Sequence, residues 1–95
     1  MRIEVRQQGG FAGVRRPAIV VETEDLEPGF ARELETLAAG LPAGGSPARG
    51  ADLMRYDVLV DDPSGRRTAT FFEPEVPSQV RELLRLTRDA GRRQP

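Results

Sequence analysis

Met1-Arg2-Ile3-Glu4-Val5-Arg6-Gln7-Gln8-Gly9-Gly10-Phe11-Ala12-Gly13-Val14 is the stretch whose reading decides the fold. Met1, Ile3 and Val5 fall on one side of an extended backbone and Arg2, Glu4 and Arg6 on the other, the two-residue period of a strand buried on one face. Gly9, Gly10 and Gly13 then allow backbone angles that side chains forbid, so the chain can reverse tightly. Beyond them Val14 to Thr23 is rich in β-branched residues and reads as the returning strand. Pro17 has no N–H for a ladder, which places that strand at a sheet edge or at a bulge. Phe11 stands near the tip of the loop. It either folds back as a satellite of the core or projects as a binding finger, and its chemistry alone leaves both open.

Working outward, Asp25-Leu26-Glu27-Pro28 resembles a helix start: a carboxylate can receive free backbone N–H groups, and proline suits the first turn. Leu26, Phe30, Leu34, Leu37 and Ala38 recur at helical spacing, which assigns Phe30 to the core, and Gly40 ends the helix. Residues 40–52 carry four glycines and two prolines without periodicity and read as a long loop, an insertion tolerated by the fold. A second hairpin follows. Met54, Tyr56, Val58 and Val60 share one face, Asp62-Pro63-Ser64-Gly65-Arg66 is a turn signal, and Arg67 to Glu73 returns. Val76 to Ala90 forms a second amphipathic helix with Val80, Leu83, Leu84 and Thr87 on its apolar face, closed by Gly91.

The element order is therefore ββαββα. One apolar stripe per helix and one apolar face per strand are satisfied when both helices cover the same face of a four-stranded antiparallel sheet, an α+β two-layer sandwich. The 95 residues suffice for one domain, expected over 1–91, with 92–95 as a frayed tail.

Composition removes several functions. The chain has no cysteine and no histidine, so disulfides, thiol chemistry and the usual zinc and haem ligands are absent. It also lacks lysine, every one of its 14 basic residues being arginine. Without His, Cys or Lys most ways of building a catalytic centre are gone, and the carboxylates before the turn and the first helix suit capping and solvation; no enzyme and no cofactor is expected. Arg15, Arg16, Arg92 and Arg93 have no interleaved aromatics, and 15 acidic residues balance the basic ones, so nucleic acid is not an expected partner. No run approaches the roughly 20 apolar residues of a membrane span, and the first residues are a strand and not a signal peptide, which predicts a soluble, cytoplasmic protein. What remains is a small scaffold presenting loops, the design of a binding module.

Met1 to Arg16, with its Gly9-Gly10-Phe11-Ala12-Gly13-Val14-Arg15-Arg16 centre, and Asp25-Leu26-Glu27-Pro28 after it resemble the emfourin family, small bacterial proteins that inhibit protealysin and other thermolysin-like zinc metalloproteases. The likeness extends through Tyr56-Asp57-Val58, Thr68-Ala69-Thr70-Phe71 and the terminal helix. It implies a proteinaceous inhibitor, a monomer when free, that blocks a protease cleft. Such enzymes favour a bulky apolar side chain just after the scissile bond, so the resemblance makes Gly9, Gly10, Phe11, Ala12 and Gly13 the inhibitory loop, with Arg15 and Arg16 at the cleft rim. A second placement reaches the partner's zinc through an oxygen ligand, Asp25, Glu27, Asp61 or Asp62; the chain binds no metal of its own. A small interaction or regulatory domain without a protease target is the alternative of a different class.

Overall fold

The computed structural model describes residues 1–9, 14–15, 17–41, 54–73 and 75–93; the side chains of 14, 15, 92 and 93 are not among what is described. Its strands are β1 (Arg2–Gly9), β2 (Val14–Arg15), β3 (Ile19–Glu22), β4 (Met54–Asp62) and β5 (Gly65–Phe72). The helices are α1 (Pro28–Ala39) and α2 (Ser78–Arg93), with a single 3₁₀ turn at Thr23–Asp25 between β3 and α1. All strand pairings are antiparallel: β1 lies between β4 on one side and β2 and β3 together on the other, and β5 follows β4. The sheet thus has four strand positions, one of them split. This is the expected α+β sandwich of sheet and two helices.

The split corrects the single strand expected over Val14 to Thr23. Gln8 faces Arg15 and Val5 faces Ile19, so two residues of β1, Arg6 and Gln7, stand against three, residues 16–18. One extra residue is a bulge, and it falls where Pro17 would otherwise interrupt the ladder.

One face of the sheet carries the core. Ile3, Val5, Val21, Tyr56, Val58, Val60, Ala69 and Phe71 are buried there against Leu34 and Ala38 of α1 and Val80, Leu83, Leu84 and Leu86 of α2. Phe30 packs against this cluster while keeping part of its surface exposed. Thr87 is fully buried on the same face of α2, its hydroxyl donating to the Leu83 carbonyl at 2.7 Å, which satisfies a polar group that would otherwise be costly inside.

Glu27 caps α1, its carboxylate accepting from the N–H groups of Gly29 and Phe30 at 2.9 and 3.0 Å, and Pro28 occupies the first helical position as the sequence predicts. Gly40 follows its last residue. Gly91, expected to close α2, lies inside it. A Cβ there would come within 3.1 Å of Ile19 Cγ2, so this glycine is a close-packing position between helix and sheet. The loop expected over 40–52 lies, beyond Leu41, outside the described residues.

Candidate functional site

The two ends of the sheet are chemically distinct. At one end β1 finishes at Gly9, whose φ of +99° is a conformation that side chains adopt only under strain. Gly9 faces Val14 in β2 and Met54 in β4, so the mouth of the first hairpin and the start of β4 lie side by side. Residues 10–13 connect Gly9 to Val14. Gly10, Phe11, Ala12, Gly13 and Arg16 of the expected inhibitory loop lie outside the described residues, as does the side chain of Arg15. What the structure places is the platform from which the loop leaves.

That platform is braced by polar contacts. Arg88 of α2 donates to Gln7 Oε1 at 3.1 Å, two residues before Gly9. Tyr56, which faces Gln7 across the β1–β4 ladder, is 6% exposed and donates its hydroxyl proton to Glu73 Oε1. Burial, together with the hydrogen bond to the negative Glu73, pushes the Tyr56 phenol above its ordinary range. The N–H of Glu73 in turn bonds the Met54 carbonyl at 3.0 Å. Tyr56, Glu73, Val76, Arg81, Leu84 and Arg88 line a small depression of about 150 Å³ at this end.

The opposite end carries Asp25, Asp61 and Asp62. Asp61 faces Arg2 at the start of β1, and seven residues of strand, about 23 Å, separate that level from Gly9. Asp61 pairs with Arg66 at 3.3 Å. Asp62 accepts from the N–H and hydroxyl of Ser64 at 2.8 and 2.5 Å and lies 3.8 Å from Arg67. The hydrogen bonds from Ser64 hold the Asp62 carboxyl below its ordinary range. Glu27 is engaged in capping α1, and Asp25 is exposed in the 3₁₀ turn that follows β3 at the same end. Three of the four candidate zinc-reaching carboxylates therefore already serve local structure, and Asp61, Asp62 and Asp25 stand at the end remote from the glycine hairpin.

Among the described residues no group of three or more His, Cys, Asp or Glu is placed to hold a metal ion, and no helix is long and apolar enough to cross a membrane. The family comparison decides between a generic scaffold and a known one: the model of the emfourin family matches residues 5–88, nearly the whole chain. The chain belongs to the emfourin family. Membership carries a protease-inhibitor role in general, in accord with the reading that the chain is not an enzyme. Comparison with curated proteins and with solved structures returns no match.

Sequence reasoning about this emfourin-family domain missed Gln7, Tyr56, Glu73 and Arg88 as the support of the hairpin end. Gln7 and Arg88 are 81 positions apart, and nothing local to either marks the contact. The one available signal was the polar group of Tyr56 on an otherwise apolar strand face, since a buried hydroxyl requires a partner.

Proposed function

We propose that this chain inhibits a thermolysin-like, protealysin-type zinc metalloprotease by entering its active-site cleft with the Gly9–Gly13 loop. Phe11 fills the pocket just after the scissile bond, and Arg15 and Arg16 meet acidic groups at the cleft rim. Family membership carries the inhibitory role. The placement of the loop is supported by the geometry of the Gly9 end, where a positive-φ glycine opens the hairpin and its mouth is braced by Arg88–Gln7 and Tyr56–Glu73.

A rigid base beneath a short loop lowers the ordering cost of binding, and a single aromatic anchor seated in a pocket can supply about 2 kcal/mol or more as an interface hot spot. Reaching the zinc through Asp61, Asp62 or Glu27 would require giving up the bonds they make to Arg66, Ser64, Arg67 or the start of α1. The absence of cysteine suits a reducing compartment, and the proposed site of action is the cytoplasm of a bacterium.

The test is a titration of a thermolysin-like protease with the chain while peptide hydrolysis is followed. Loss of activity at near one-to-one stoichiometry is the expected result. Sustained hydrolysis accompanied by digestion of the added chain would make it a substrate and end the proposal.

A further inference from the structure

The first hairpin is held unequally on the two sides of β1. Against β4, β1 keeps an unbroken register from Arg2 facing Asp61 to Gly9 facing Met54. On the other side, the returning chain meets β1 beyond the bulge at only two positions, Gln8 facing Arg15 and Gly9 facing Val14. A bulge bends the strand that carries it and increases its twist. The ladder that holds β3 therefore does not by itself fix the direction in which β2 continues.

The last two turns of α2 close over this point. Arg88 and Gly91 stand three residues apart and so share one side of the helix. Gln7 continues the helix-facing side of β1 that Ile3 and Val5 begin, because side chains alternate along a strand, and it stands opposite the bulge. There Arg88 donates to Gln7 Oε1 at 3.1 Å. Arg88 is half-buried and lines the same depression as Tyr56 and Glu73, whose own hydrogen bond fixes that wall.

The second contact lies on the returning arm. Ile19 is the first residue of β3 after the bulge, and a Cβ at position 91 would come within 3.1 Å of its Cγ2. Ala90 beside it is fully buried, so the helix end approaches the sheet through two of the smallest residues. One side of α2 thus touches both arms of the hairpin at the level of the bulge, β1 through a polar bond and β3 through close packing.

We propose that the end of α2 is the positioning element of the glycine hairpin: Arg88 and Gly91 set the direction of the Gln8–Gly9 and Val14–Arg15 arms, and through them the exit of the chain into the loop. Its consequence for inhibition rests on the reading that this loop enters the protease. Arg88 then acts through Gln7 by reducing the ordering cost of binding, without touching the enzyme.

Arg88→Met keeps an unbranched apolar stem and removes the guanidinium, and amide exchange of the free variant is the first measurement. Those amides of Gln8, Gly9, Val14 and Arg15 that are protected in the wild type should exchange about tenfold faster, because a local opening is separable from global unfolding. The β4–β5 hairpin should exchange as in the wild type, with the melting temperature retained. Unchanged exchange at the arms, or acceleration only in step with β4–β5 and a lowered melting temperature, overturns the proposal. Titration of a thermolysin-like protease is the second measurement. Where the wild type inhibits, a variant with loosened arms should inhibit about tenfold more weakly, and equal inhibition constants overturn the positioning role. A wild type that does not inhibit ends the protease reading and leaves the exchange result to decide the positioning. Should Arg88→Met not fold, Gln7→Ala removes the same bond from the strand side and is judged by the same two measurements.

Discussion

The Gly9 end and the Asp62 end of the sheet rest on the same β1–β4 ladder, yet they spend their polar groups in opposite ways. At the Asp62 end three carboxylates close local features: Asp62 the turn to β5, Asp61 an ion pair across the hairpin, and Glu27 the start of α1. At the Gly9 end Arg88 of α2 reaches Gln7 of β1 from 81 positions away, and Tyr56 bonds Glu73 across the open end of the β4–β5 hairpin. Local contacts make a self-contained terminus. The long-range Arg88–Gln7 contact instead braces a hairpin mouth from beneath. The difference supports the proposed placement of recognition at the Gly9 end.

Both ends rest on one hydrophobic cluster, and the largest expected effect tests whether they unfold together. Leu34 is fully buried at the centre of the cluster. Leu34→Ala should cost about 3 kcal/mol and lower the melting temperature, with both ends lost in one transition rather than separately. Thermal unfolding followed by near- and far-ultraviolet circular dichroism checks this. Phe11→Ala comes next: inhibition of a thermolysin-like protease should weaken tenfold or more, about 1.4 kcal/mol, with stability retained. Asp61→Asn combined with Asp62→Asn should leave the inhibition constant within twofold. If the two results are exchanged, the carboxylate end is the inhibitory one.

How far the sequence anticipated this contrast differs between its parts. The apolar alternation of Ile3 and Val5 and of Tyr56, Val58 and Val60 revealed the strands and their inner face, because burial on one side writes a period of two into the residues themselves. Glu27-Pro28 marked the start of α1 for an equally local reason. The break between β2 and β3 was only hinted at by Pro17, since a bulge is a relation between two strands and its register is absent from either one alone. Gly91 misled: the same residue type that ends helices also lets a helix approach Ile19, and only tertiary packing distinguishes the two uses. The site divides likewise. The glycines and Phe11 drew notice by composition, whereas Arg88 and Gln7 became visible only once the sheet and α2 were brought together.

Smaller effects sharpen the far end. Glu27→Ala removes the acceptor for two helix N–H groups and should cost about 1 kcal/mol in a denaturant titration, with inhibition unaffected. The smallest effect is a pH dependence. The Asp62 carboxyl is depressed below its ordinary value of 3.8 by Ser64, so its folded state favours the ionised form. The stability this gives is present in full above about pH 4 and is lost as the pH falls through the depressed folded value, because the unfolded chain takes up the proton first. In Ser64→Ala the acid side of the stability profile should lose the hydroxyl's share of this contribution, the backbone N–H bond remaining, with the midpoint of acid unfolding moving to higher pH and the neutral-pH inhibition constant unchanged. Acid titration of both proteins, followed by circular dichroism, reads the shift.

The central claim is that the Gly9 end, and not the Asp62 end, meets the protease, and amide hydrogen exchange of the chain free and in its complex with an inactivated thermolysin-like enzyme tests it most directly. Slowed exchange at Gly9 through Val14 with unchanged exchange from Ser64 to Gly65 is the predicted footprint. Protection confined to the Ser64–Gly65 turn and the Thr23–Asp25 segment, with the Gly9 hairpin unaffected, would contradict it.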